Sequence, residues 1–567
     1  MSTIQRDHAR IPNDQLGFPS LERLVKKQER RRPRFSRFWV CANPPRGCEL
    51  LAQYSVGDAS VSVLRNPTEL RYHYLLMPWE HTAPPELLRL ASRVIDAISS
   101  RPPKIDLGDL GALRNAIADI ARDEAIHLSS SAGVRLSSRD NSDLERLVHC
   151  VVRNTVGMGL FEVLLEDEHV EDVYVDAPSS SNPVHLALNG IAGKSSMIRA
   201  TTNIISSDEE LDGFVSRLRF QTGRPFSEAF PTLETDLGFM NARATVIGPP
   251  LSQAGLAFAI RRHSGKPWTL PRMVAAGTLD PFSAGLLSFL VDGRSTILFC
   301  GPRGAGKSAL LSATLFEFPT SHRVLTIEDT PELPVKTMQA LGFKVQSMVV
   351  EPALGEDAEA KSESALRVSL RLGESAIVVG EVRGREARVL YDSMRTGKAG
   401  SSVLGTIHGD SPSSVLDRVV HEMGISRQAF LATDIIVCLG LYRNKGSQTS
   451  ERRLVQIVET PTGDDDDFNV LVAFDPATGR AVESMAAKSR IVAHIAASWN
   501  ISYLEALQNI QARAELREIL LDKSRRSGPE YLGAEWTCRA NQFFWERVES
   551  GAAYHTIPNE FRRRVGA

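Results

Sequence analysis

Four short stretches hold residues whose types and spacing could do chemistry. The first, GPRGAGKS, runs from Gly301 to Ser308 and fits the phosphate-binding pattern G-x-x-x-x-G-K-[ST]. Gly301, Gly304 and Gly306 allow close approach and positive φ, so that backbone N–H groups can wrap phosphate oxygens at the start of a helix. Contact with a nucleotide is expected from Gly301, Pro302, Arg303, Gly304, Ala305, Gly306, Lys307, Ser308 and Ala309. Lys307 would reach the β- and γ-phosphates, and the Ser308 hydroxyl would ligate magnesium. ATP and Mg2+ are therefore the expected cofactors.

A phosphate loop announces a nucleotide without saying what is done with it. TIEDTPEL places adjacent carboxylates, Glu328 and Asp329, at the end of an apolar, strand-like run. AIVVGEVRG does the same for Glu381, with Arg383 two positions on. In open α/β sheets the carboxyl ends of strands face the ligand. There one acidic group can orient or deprotonate a water while the other holds magnesium. Either carboxylate alone would serve equally well as a helix cap.

His408 ends a third run, SVLGTIH. A hydrogen-bonded core histidine is one reading of it. Metal ligation lacks support, because no neighbouring Cys or His supplies tetrahedral spacing. Its place at the same sheet edge points instead to γ-phosphate contact, direct or through water. Ser411 and Pro412 follow as N-cap and first helical residue.

These residues must be positioned by the rest of a 567-residue chain, which is too long for one core. The apolar content of 42% and the near balance of 66 Lys and Arg against 68 Asp and Glu describe an ordinary globular protein without the basic excess of a dedicated nucleic-acid binder. The six scattered cysteines include one close pair, Cys41 and Cys48. They suit a reducing compartment, and two thiols fall short of a structural zinc site. No apolar run of membrane-spanning length or signal-peptide character is visible.

Along the chain, residues 1–140 read as a basic arm, KKQERRRPRFSRF, followed by a small helical or α+β domain. The arm fits either a mobile tail or a docking element for anionic lipid or an acidic partner. Residues 141–262 read as a second α+β sheet domain, and 263–268 as a linker. From 269 to 444 strand and helix alternate repeatedly, which implies βαβ units and a largely parallel sheet. Residues 445–567 read as a hairpin, with the acidic run Asp464 to Asp467 in its turn, and then helices.

The ordered set GPRGAGKS, TIEDTPEL, AIVVGEVRG and GTIHGDSPSSVLDRV resembles the Walker A loop, aspartate box, atypical Walker B and histidine box of the type II/type IV secretion ATPase superfamily. The likeness extends to FEVLLEDEHVEDVYVDAP and TGRPFSEAFPTLETDL upstream and to KSRIVAHIAASWNISYLEALQNIQAR downstream, about residues 145–520. The flavour resembles archaeal pilus and archaellum motors, without the four-cysteine zinc insertion of many bacterial members. The resemblance implies a RecA-like P-loop core with a preceding α+β sheet domain and a mainly helical C-terminal region. It further implies a homo-oligomer, a hexameric ring, at the inner face of the cell membrane. That ring would be cytoplasmic and peripheral, and would act on a polytopic platform protein and pilin-like subunits, with no nucleic acid expected.

The same resemblance assigns phosphate-directed arginines to Arg224 in TGRPF, Arg243 in NARATV and Arg261 in AIRRH. Before the second of these the chain writes GFMNAR where the family has a glycine-containing turn. The mechanism expected is hydrolysis by in-line water attack. Glu328 would polarise the water, Glu381 would organise magnesium, and His408 and Arg383 would sense the γ-phosphate. A hinge at His263–Trp268 would convert phosphate loss into rigid-body motion. Two rivals stay open: a nucleic-acid translocase, which DNA would stimulate, and a nucleotide-gated scaffold that binds ATP without releasing phosphate.

Overall fold

The computed structural model describes residues 30–566 except 32, 42–44, 46, 102–109, 131–133, 135–140, 192–196, 239, 264, 351–355, 374–375, 385, 396–401, 444–449, 463–466, 476–479 and 484–487. Most of the acidic run, and the part of the basic arm before Arg30, thus lie outside the described residues. The chain divides into two compact units, one up to His263 and one from 264 onward.

The first unit is built on eleven strands: β1 (Arg30–Arg31), β2 (Phe38–Cys41), β3 (Glu49–Val56), β4 (Ala59–Asn66), β5 (Arg71–Met77), β6 (Val170–Val175), β7 (Pro183–Leu188), β8 (Ile198–Ser206), β9 (Thr232–Leu237), β10 (Ala242–Ile247) and β11 (Ala257–Arg262). The main order is β3-β4-β5-β8-β7-β6-β11-β10-β9, with β2 joining β8 and β1 joining β2. Only β5 and β8 run parallel, Tyr72 lying opposite Ala200. Helices Leu160–Glu166 and Asp208–Thr222 cover one face through Phe161, Leu164, Leu211, Phe214 and Leu218.

The boundary expected near 140 does not separate two domains. The β3–β5 meander would leave the N–H and C=O groups of β5 at a bare edge, and β8 takes up that edge. Likewise helices Pro85–Ser100, Leu110–Ser129 and Asn141–Thr155 straddle position 140 and share one core around Leu90, Ile117, Leu147 and Val151. Each helix turns an apolar stripe towards the other two, with Trp79 and Phe35 adding to the same core.

The second unit contains β12 (Ile297–Gly301), β13 (Arg323–Glu328), β14 (Lys344–Val349), β15 (Ala376–Val379), β16 (Val403–His408), β17 (Ile435–Tyr442), β18 (Glu451–Glu459), β19 (Asn469–Asp475) and β20 (Arg480–Glu483). Their order is β14-β13-β15-β16-β12-β17-β18-β19-β20. The strands from β14 to β17 are parallel, whereas β18 to β20 add on antiparallel. Helices lie on both faces, so the central parallel strands read as near-continuous apolar runs, whereas the edge strand β14 keeps Lys344, Gln346 and Ser347. In β12, Ile297 and Phe299 enter the core beneath helices Pro281–Asp292 and Lys307–Leu315. Leu298 and Cys300 enter the opposite core, beside Leu390 and Val415. The hairpin expected after 444 is present, but it extends this same sheet instead of starting a separate region.

The C-terminal helices Tyr503–Ser527 and Ala534–Glu549 dock through a buried polar knot. Arg517 is paired with Glu317, and Glu317 also accepts from Ser288 (2.8 Å) and Asn541 (2.9 Å). Arg513 is paired with Asp292, which accepts the Trp545 indole N–H at 2.9 Å. Nothing in the sequence pattern announced this knot.

The linker is shorter than residues 263–268, because both of its ends are held. The His263 N–H donates to the Asn241 carbonyl at 2.7 Å, which ties it to the first unit. Trp268 packs on the second unit's core with the Arg272 guanidinium over its ring. Residues 264–267 are what remains between them. Among the described residues, no single helix is long and apolar enough to cross a membrane.

Candidate active site

Strand order makes the site. β13, β15, β16 and β12 lie side by side and parallel. Ile327 is therefore level with Val379, Val379 with Gly405, and Gly301 with His408. Glu328, Glu381, His408 and the phosphate loop thus emerge at one edge, although up to 107 positions separate them in the chain.

The loop leaves β12 at Gly301, where a Cβ would sit 2.5 Å from the Leu439 carbonyl oxygen. No other residue fits there. Gly306, at φ 96°, turns the chain into the helix Lys307–Leu315. Lys307 is buried, and its Nζ donates to the carbonyls of Gly301 (2.9 Å) and Pro302 (3.2 Å). It also lies 3.5 Å from His408 Nδ1. Ser308 and Ala309 follow on the first helical turn, half-buried.

His408 has its Nε2 at 2.9 Å from Glu381 Oε1. Burial, and then the Lys307 charge, hold its pKa below the ordinary histidine value. A neutral ring lets Nδ1 accept from Lys307, while Nε2 stands beside Glu381 Oε1, which has no aligned hydrogen bond among the described residues. Glu381 is also paired with Arg383, whose guanidinium reaches Asp329 at 3.1 Å. Burial works against the Glu381 charge, but the hydrogen bond and charge of Arg383, with Lys307 behind it, outweigh it and hold the carboxyl below the usual range. The Glu381 hydrogen bond in turn raises the Arg383 pKa.

Glu328 differs from its neighbour. Its Oε1 accepts the N–H groups of Glu332 (2.8 Å) and Leu333 (2.9 Å). Its Oε2 is buried and has no hydrogen-bond partner among the described residues. Burial pushes this carboxyl up to about 7, with the two N–H donors offsetting only part of the rise. Gly380 makes room for it: a Cβ there would stand 3.2 Å from Glu328 Cγ. The edge therefore carries one carboxylate held ionised and one whose pKa is raised to about 7.

Ser411 caps its helix as expected, in a reciprocal box with Ser414. The three arginines lie in the first unit. Arg243 on β10 is level with Arg261 on β11, and Arg261 with Asp172 on β6. Arg243 donates to Glu234 at 2.9 Å, and Arg224 donates to the backbone carbonyl of the same residue. Cys41 is buried in β2 and Cys48 is half-buried. Three residues fell outside the candidate set. Asp329 had a signal, its adjacency to Glu328. Glu386, which accepts from the N–H groups of Arg383 (2.6 Å) and Gly384 (2.9 Å), had only its closeness in sequence. Arg452, which bonds the phosphate loop from β18, had none.

The parallel sheet, the loop at the end of β12 and the polar edge beside it define a RecA-like P-loop core. The chain belongs to the family described as type II/IV secretion system protein, whose family model matches residues 164–497. It is 29% identical over 328 residues to a putative conjugal transfer protein of Mycobacterium tuberculosis, covering 56% of this chain and 88% of that one. It is 25% identical over 245 residues to a type IV secretion system protein PtlH homolog of Bordetella bronchiseptica, covering 38% of this chain and 71% of the other. Among solved structures it is similar to the ATPase DotB of Legionella pneumophila, with 15% identity, a TM-score of 0.36, and coverage of 70% of this chain and 95% of DotB.

Proposed function

We propose that this chain is an ATP-hydrolysing ring motor that drives secretion or the assembly of pilus-like filaments from the cytoplasmic face of a membrane. The observation that carries the reading is the unbroken line of contacts Lys307–His408–Glu381–Arg383–Asp329, with Glu328 beside it. The donors fit a magnesium nucleotide: a glycine-rich cradle, the Ser308 hydroxyl, an ionised Glu381 and an uncommitted carboxylate oxygen on Glu328.

In this reading Lys307 exchanges its carbonyl contacts for phosphate oxygens. Ser308 and Glu381 would hold magnesium, which would supply charge neutralisation at the phosphates. Glu328 Oε2 accepts a proton as water attacks the γ-phosphorus and ADP departs. His408 loses Lys307 as a neighbour when nucleotide binds and, with Arg383, reports the phosphate state. Arg224, Arg243 and Arg261 neutralise charge that spreads over the γ-phosphate oxygens. The linker within 263–268 would act as the hinge, and copies of the chain, six in a ring, would pass the motion to a membrane platform protein. Membership of the secretion family supports the protein-transport side of this proposal.

Phosphate release by the purified chain tests it. Wild type should turn over ATP, and Lys307→Ala and Glu328→Gln should not; undiminished hydrolysis in both variants sinks the mechanism. The name of the mycobacterial relative, a conjugal transfer protein, favours nucleic-acid transport as the second reading. Salt-sensitive stimulation of hydrolysis by DNA would select it.

A further inference from the structure

We infer that Arg452, on β18, is a positioning residue that shapes the phosphate loop for nucleotide. The inference rests on the nucleotide-binding part of the proposal above. β18 runs antiparallel beside β17, with Arg452 level with Leu441 and Leu454 level with Leu439. Leu439 is the residue whose carbonyl closes off Gly301. From the next strand, Arg452 reaches over the loop itself, and its Nε donates to the Gly304 carbonyl at 2.9 Å. Its stem lies along Gly306, where a Cβ would stand 3.5 Å from Arg452 Cδ.

The consequence follows from peptide geometry. A trans peptide sends its C=O and the following N–H in opposite directions. Holding the Gly304 oxygen on the Arg452 side therefore turns the Ala305 N–H to the other side, where it donates within the loop to the Pro302 carbonyl at 3.2 Å. Two bonds thus fix the plane of the peptide at the loop's tip. A loop that offers N–H groups to phosphate must turn carbonyls away, and those carbonyls need donors of their own. A guanidinium meets that need and brings a permanent positive charge to the side of an anion site. Arg453, one position on, does neither: its guanidinium bonds the Gly277 carbonyl and pairs with Glu451 at 2.5 Å.

The test compares Arg452→Gln, Arg452→Lys and Arg453→Gln by titration with fluorescently labelled ADP and by ATP turnover, with melting temperatures recorded for each. Arg452→Gln should raise both the Kd for labelled ADP and the KM for ATP about tenfold. Its kcat should stay within about twofold, because the contact is made to the loop and not to the reacting atoms. Arg452→Lys should recover part of the loss, and Arg453→Gln should leave both constants in place. Unchanged Kd and KM in Arg452→Gln, or a fall in kcat and melting temperature alone, overturns the inference; should that variant not fold, the Kd of Arg452→Lys decides. If the wild-type chain binds labelled ADP without hydrolysing ATP, the motor reading falls while the Kd ratio still decides Arg452. If it binds no labelled ADP, both fall.

Discussion

Arg383 and Arg517 each grip a carboxylate in the same unit of the protein, yet the two pairs do opposite things. The Arg383 side chain is 56% exposed and shared between Glu381 and Asp329. The Arg517 side chain is 1% exposed and its partner Glu317 is fully buried, with Ser288 and Asn541 completing the set. A half-solvated pair gains little from staying closed, so its partners can be exchanged when a charged ligand arrives. A buried pair has no such freedom, because separating it strands a charge in a low-dielectric interior. The polar edge of the sheet is built from pairs of the first kind, and the dock of the C-terminal helices from pairs of the second.

The largest effect should come from breaking the buried pair. Arg517→Ala should destabilise the second unit by about 3–5 kcal/mol in urea titration; a loss below about 1 kcal/mol would erase the contrast between the two regions. Next, Glu328→Gln should lower turnover by about 10²–10³-fold while labelled ADP still binds, as removal of a proton acceptor does. A smaller change follows from Arg383→Ala: about a tenfold loss of turnover with stability altered by no more than about 1 kcal/mol. If that variant unfolds as readily as Arg517→Ala, the exposed pair is structural after all.

A graded effect is one of pH. Glu328 must be ionised to accept a proton, and its carboxyl is raised to about 7. Turnover should therefore fall as pH drops through 7, by about tenfold per unit below it. Stability should run the other way. Between the ordinary value of 4.5 and about 7 the folded chain holds the Glu328 proton and the unfolded chain does not, so this residue's contribution declines as pH rises. Glu328→Gln should flatten that slope in thermal melts across pH 5 to 7.5, and an unaltered slope would place the titration elsewhere.

Much of the candidate site was legible because its signals are local. A glycine-rich loop between an apolar strand and a helix, and polar residues closing apolar runs, each occupy fewer than ten consecutive positions. The Ser411 cap and the alternation of strand and helix are local in the same sense. The β3–β5 meander falls inside the small helical or α+β domain expected before residue 140, and its place beside β8 is not legible, because β5 and β8 meet across more than 120 residues. Arg452 and Arg517 looked like ordinary cations of a strand and of a helix. Their partners, Gly304 and Glu317, lie 148 and 200 positions away.

The sequence by itself determined the phosphate loop, the three polar boxes and the βαβ character of the second unit. Each follows from residue type at a spacing of two, three or four, which the backbone converts directly into a face or a turn. Only the tertiary structure decided that β13, β15, β16 and β12 are neighbours in that order, which turns four separate boxes into one edge. It alone decided which of the arginines are exchangeable and which are locked. The reason is common to both: strand neighbours and burial depend on how distant segments close against one another, and no local period in the chain records that closure.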